Sequence, residues 1–189
     1  MKPIITLLII LSSFSCYSTI QHKDFLCYNG EAYGLKDYYL EDYFEKHPEK
    51  KPKTEIRSSA LWRGYIATFT VYGNQIYLTD LQIQIQDKSS NEMFATKWKS
   101  VYKDFSPNSD RYLIKWINDL ILLPIGEPID YEDGHGITHN QYELIEIKNG
   151  IIVANFDFSL KEYKKKFKNR NPYFLDEKEL LTLKKELKK

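Results

Sequence analysis

The stretch Ser59 to Gln86, SALWRGYIATFTVYGNQIYLTDLQIQIQ, constrains the fold more than any other part of the chain. It reads as two long strands joined by a tight turn at Gly73-Asn74. In the second strand Leu81, Ile83 and Ile85 alternate with Gln82, Gln84 and Gln86. A period of two means one buried face and one wet face. In the first, Leu61, Arg63, Tyr65, Ala67, Phe69 and Val71 share a face, with Trp62, Ile66 and Tyr72 opposite. Apolar residues on both faces place that strand inside a sheet.

Further hairpins are expected on either side. Asn29-Gly30 separates Asp24–Tyr28 from Glu31–Leu35, and Asn149-Gly150 separates Gln141–Ile147 from Ile151–Leu160. Asn-Gly between apolar runs is the strongest short hairpin signal. Tyr112–Ile117 and Leu120–Ile125 read as another strand pair around Asn118-Asp119, followed by a polar loop over Asp130–Asn140. Helical spacing runs from Tyr38 through Leu40, Tyr43, Phe44 and His47, ended by Pro48, before a charged loop over Glu49–Glu55. Ser89 to Glu92 has capping-box form ahead of Phe94, Trp98, Val101 and Phe105, which predicts a helix lying on the sheet. Asp176 and Glu179 repeat the capping pattern before the stripe Leu180, Leu183, Leu187. An aromatic content of 15%, with 15 Tyr and 10 Phe, suits strands. The expected class is α+β, a curved antiparallel sheet of about eight strands built from consecutive hairpins, with helices packed on it.

Residues 1–18 have the form of an export signal, with Lys2 followed by the apolar run Ile4–Leu11 and then small residues. Cleavage has two readings: Ser13-Phe14-Ser15-Cys16 outlines a lipoprotein box in which Cys16 is lipidated, and Ser18 fits ordinary cleavage. The expected location is therefore exported, either periplasmic or membrane-anchored by lipid. Cys27 would be the lone cysteine left, expected as a buried strand residue. The organisation is then an antiparallel sheet domain over 19–160 and a basic helical tail over 161–189 docking on the same domain. From Lys161 onward there are 11 basic and 5 acidic residues, a net +6, against −6 for residues 19–160. A basic tail on an acidic body suits a partner or membrane surface that reads the tail, or a solvated amphipathic helix.

Two constellations are candidates for a site. His135 and His139, with Glu132, Asp130 and Asp133 nearby, have the residue types to hold zinc or another divalent ion. Gly134 and Gly136 argue against the helix that would align the two rings, which leaves a turn between strands as the other reading. The second is Trp62, Arg63 and Tyr65, an arginine among aromatics that could form a ligand platform or pair internally with a carboxylate. No nucleophile elbow, phosphate loop, Cys-x-x-Cys or glycine-rich dinucleotide turn occurs. No cofactor and no nucleic-acid partner is expected.

The Trp62-Arg63-Gly64-Tyr65 segment ahead of Ile76-Tyr77-Leu78 resembles a family of uncharacterised secreted bacterial proteins, often predicted lipoproteins. Trp116, Pro124-Ile125-Gly126, Tyr131, Tyr142-Glu143 and Asn149-Gly150 extend the similarity over roughly residues 24 to 155, while the Lys-rich tail departs from it. The resemblance implies secretion and fold and lends no catalytic residue. The functional expectation is an exported, non-catalytic binding or interaction module of the bacterial envelope, one version being a toxin-neutralising protein. Its partner would be an envelope protein or a small ligand, with membrane contact only through a lipid anchor. The alternatives are a metal-dependent envelope hydrolase using His135 and His139, and a small-ligand binder with a pocket between sheet and helix lined by Trp98 and tyrosines.

Overall fold

A computed structural model describes residues 21–132, 136–168 and 170–188. The export segment with Cys16 lies outside the described residues. The hairpin of the opening stretch is present: β3 (Tyr65–Tyr72) and β4 (Gln75–Gln86) pair antiparallel across Gly73-Asn74. The remaining strands are β1 (Phe25–Tyr28), β2 (Glu31–Gly34), β5 (Thr96–Ser100), β6 (Tyr112–Leu113), β7 (Asp119–Pro124), β8 (Pro128–Glu132), β9 (Gly136–His139), β10 (Gln141–Lys148) and β11 (Ile151–Ser159). Among the described residues four α-helices accompany them: α1 (Glu41–Lys46), α2 (Tyr102–Phe105), α3 (Leu160–Phe167) and α4 (Glu177–Leu187).

The main sheet has the order β2-β1-β3-β4-β11-β10-β7, with β5 and β6 also paired to β4. β4 is its spine, pairing with β3, β5, β6 and β11. The sheet is antiparallel-rich but mixed, because β1 runs parallel to β3. It curls back on itself. Tyr28 on β1 donates its hydroxyl to Glu143 on β10 at 2.8 Å, although three strands separate them in the order. Burial and this bond push the Tyr28 hydroxyl up to about 12.

The concave face holds the main core, which includes Leu26, Phe69, Leu78, Leu81, Leu123, Ile145 and Ile147. The outer face of β7-β10-β11 carries a second core of Tyr142, Leu144, Phe158, Leu160, Tyr163, Leu175 and Leu183, contributed jointly with α3 and α4. Stacked rings link Tyr142, Phe158, Tyr163 and Phe167 in sequence. The Asp176–Glu179 capping box is formed, and a second one, Ser159–Glu162, starts α3. Lys184 closes the docking with an ion pair to Glu146 at 2.6 Å, which holds that carboxyl below its ordinary range.

Four local expectations are corrected. Thr96–Ser100 is a strand on β4 rather than part of a helix, because Asp87 accepts from Ser89 and Phe94 turns at φ 68°. That chain reversal covers the end of β4 that overhangs β3, and only α2 remains helical. Tyr112–Ile117 does not pair with Leu120–Ile125: β6 joins β4, and β7 joins β10. The intervening residues pack against the β10–β11 turn. Gly150, at φ 72°, lies so close that a Cβ there would sit 1.5 Å from the Ile114 carbonyl oxygen. The polar stretch after Pro128 is the separate hairpin β8–β9 rather than a loop. Cys27 is partly exposed, since Leu26 takes the inward position beside it.

Candidate functional site

The Trp62-Arg63-Gly64-Tyr65 motif is a turn, and the turn decides what each residue does. Ser58 caps a 3-10 turn over Ser59–Leu61, and Gly64 follows at φ +83°. A Cβ on Gly64 would lie 2.4 Å from Thr54, so glycine is required there on two counts. This swings Arg63 inward to 3% exposure and leaves Trp62 half exposed. Arg63 donates to both Asp24 carboxylate oxygens at 2.8 and 3.0 Å and to the His22 carbonyl at 2.8 Å. The Ala67 amide also donates to Asp24. The guanidinium stands 3.8 Å from the Tyr38 ring centroid and 5.0 Å from that of Tyr65. Burial pushes the Asp24 carboxyl up, opposed by the Arg63 charge and the Ala67 N–H. Tyr65 is buried and donates to Glu41 at 2.5 Å. Of the expected platform, Arg63 and Tyr65 therefore serve the fold, and only Trp62 faces outward.

Trp62 instead borders a cleft of about 1110 Å³ between the two terminal strands of the sheet order. One wall is the chain from Gly34 to Asp42 after β2, and the other is β7 with Trp116–Asn118 before it. The segment Pro172–Glu177 runs along it, with Pro172 and Leu175 buried. Lys36 donates to the Leu175 carbonyl at 3.0 Å, and Lys23 donates to the Tyr173 hydroxyl at 2.5 Å. The tail thus stitches the N-terminal hairpin to the second core. Trp116 Nε1 donates to the Tyr39 carbonyl at 2.8 Å, which fixes the inner end.

The cleft carries one half-buried carboxylate, Asp119, with the exposed Asp37, Asp42 and Glu177 around it. Asp119 accepts from the Tyr39 hydroxyl and from the Leu120 amide. Burial pushes the Asp119 carboxyl above its ordinary value, and the charges of Asp37 and Glu177 push the same way. Burial, with Asp119 beside it, also raises the Tyr39 hydroxyl. Among the described residues Asp37, Asp42, Asp119 and Glu177 form no ion pair. The two lysines on the rim are held by Tyr173 and Leu175 instead. The like charges of Asp37 and Glu177 acting on the half-buried Asp119 make a local field there that favours a cation.

These carboxylates were not singled out in the sequence. Asp119 reads there as a turn residue after Asn118, and Glu177 as an ordinary first-turn acid of α4. Only folding over 80 positions brings Tyr39 to Asp119. The pocket expected between sheet and helix around Trp98 is not where the cleft lies. Trp98 sits on β5 and meets the His22 ring edge-on at 5.7 Å.

The metal candidates are only partly described. His135 lies outside the described residues, and so does the side chain of Glu132. In the β8–β9 register Glu132 stands opposite Gly136 and His139 opposite Pro128. That offset is about 10 Å along the strand, so the register does not juxtapose them. His139 donates its backbone N–H to the Tyr142 hydroxyl, and its Nδ1 is buried without a hydrogen-bond partner. Among the described residues no group of three His, Cys, Asp or Glu is placed to hold a metal ion, and no helix is long and apolar enough to cross a membrane. No protein-family model, curated protein or solved structure matches the chain.

Proposed function

We propose that the chain is an exported, non-catalytic binding module of the bacterial envelope, and that its ligand presents a cationic group to the cleft between the 34–42 segment and β7. The export signal read over residues 1–18 supports the location, with Cys16 as the candidate lipid anchor. One observation carries the ligand chemistry: the charges of Asp37 and Glu177 both act on the half-buried Asp119, and none of the three forms an ion pair among the described residues, although Lys23 and Lys36 also line the cleft. Trp62 and Tyr38, packed edge to face at 6.4 Å on the rim, add an aromatic surface suited to an amine or guanidinium. A lysine- or arginine-bearing peptide segment meets both demands. The toxin-neutralising version is the case in which that segment belongs to another protein.

Calorimetric titration with oligolysine and with oligoglutamate tests this reading. Oligolysine is expected to bind, and Asp37→Asn with Asp119→Asn is expected to weaken it by about tenfold or more, the scale of one or two lost charge-assisted contacts. Equal or absent binding of the two peptides would sink it. A second reading, metal-dependent hydrolysis at His135, His139 and Glu132, rests on the unpartnered Nδ1 of His139. A zinc titration that leaves thermal stability unchanged removes it.

A further inference from the structure

The exposed face of α3 is a lysine stripe. Lys161, Lys164 and Lys165 recur at i, i+3 and i+4, Lys168 follows as the C-cap outside the helix, and all four are exposed. The opposite stripe of Leu160, Tyr163 and Phe167 packs into the second core. Lys166, off the stripe, is paired with Glu186 at 2.5 Å, whereas none of Lys161, Lys164, Lys165 and Lys168 forms an ion pair among the described residues. The one acid on the helix, Glu162, is turned back to the Ser159 amide and hydroxyl in the capping box.

Beside this stripe lies an apolar projection. Ile129 is 58% exposed, and the β8–β9 register slips between Pro128 and Asp130, which leaves Ile129 as the bulged residue. A depression of about 550 Å³ runs between Ile129 and Lys161, Lys164 and Lys165. A row of ammonium groups with no ion pair among the described residues, next to a protruding aliphatic side chain, is the pattern of a face that lies on an anionic bilayer. The cations meet lipid headgroups and the aliphatic side chain enters the acyl boundary. Nucleic-acid surfaces usually add stacking aromatics to such a stripe, and none of the described residues lining this depression is aromatic.

The geometry points to the α3 lysine face and Ile129 as a docking surface for an anionic phospholipid bilayer. This surface is separate from the acidic cleft and does not depend on what the cleft binds. A single acyl chain gives only marginal attachment, and a basic face of this kind supplies a second attachment signal.

The test is partition of the full chain onto phosphatidylglycerol–phosphatidylcholine vesicles relative to pure phosphatidylcholine vesicles. Taking the ratio cancels the contribution of the apolar N-terminus. The unmodified chain is expected to prefer the anionic vesicles, with the preference falling as salt rises. Each lysine near such a surface contributes about fivefold, so Lys161→Gln/Lys164→Gln/Lys165→Gln together should lower the ratio on the order of a hundredfold. Ile129→Ser should lower partition onto anionic vesicles about fivefold. All four side chains are exposed, and circular dichroism checks that the variants remain folded. A ratio unchanged by the triple substitution overturns the proposal. So does equal partition onto the two vesicle types, and so does tight retention of a DNA duplex by the same lysines without preference for anionic vesicles.

Discussion

Asp24 and Asp119 make an instructive pair. Both are carboxylates withdrawn from solvent with raised proton affinity, both take a backbone N–H, and both stand near the rings of the Tyr38–Tyr39 segment. At Asp24 the chain supplies the counter-ion: Arg63 forks onto the carboxylate and lies over Tyr38. At Asp119 the charges that act on the carboxyl are Asp37 and Glu177, of the same sign. The first arrangement is complete and serves the fold. The second has the carboxylates and the aromatic border but no ion pair to Asp119 among the described residues, so a ligand can supply one. The comparison also explains why the arginine motif, the most conspicuous local feature of the sequence, is not where a ligand would sit.

The largest expected effect separates the two arrangements by stability. Arg63→Ala strands the buried Asp24 charge and should cost about 3–5 kcal/mol in chemical denaturation. If it instead costs less than the exposed-pair scale of about 1 kcal/mol, the pair is not completing the fold. Next comes the tail that walls the cleft. Leu183→Ala, in the second core, should cost about 2–5 kcal/mol and also weaken oligolysine binding. A stability loss without any effect on binding would detach the tail from the site.

Asp119→Asn should behave in the opposite sense to Arg63→Ala. A raised carboxyl binds its proton more tightly in the folded than in the unfolded state. Its contribution to stability is therefore lost as pH rises from the ordinary carboxylate range through the raised value. The amide variant escapes that loss, so it should match or exceed the parent in melting temperature at neutral pH. The gap should close on acidification. A variant that melts well below the parent at neutral pH would make Asp119 a fold residue like Asp24. The smallest effect belongs to Lys36→Met, which removes one lysine contact to the Leu175 carbonyl and should cost about 1 kcal/mol.

What the sequence discloses follows the range of the interactions involved. The three Asn-Gly or Gly-Asn hairpins are present at their expected turns, because a positive φ is a local demand. The tail helix is likewise set by its own capping box and leucine stripe. The segment from Ser89 to Phe105 misleads, because helix-like spacing there competes with the unpaired end of β4, and that edge wins for Thr96–Ser100. Strand partners are the least legible. Nothing near Tyr112 or Asp119 announces that one joins β4 and the other β10. The cleft inherits that opacity, since its walls come from segments around positions 37, 119 and 177.

The central claim is that Asp119 lies in a field the protein leaves uncompensated. Its carboxyl titration can be followed directly by carbon-detected NMR in the free chain and with saturating oligolysine. The account predicts a free value above the ordinary carboxylate range, and a clear fall when the peptide is bound. A free value at or below that range, or a titration that oligolysine leaves unmoved, would contradict it.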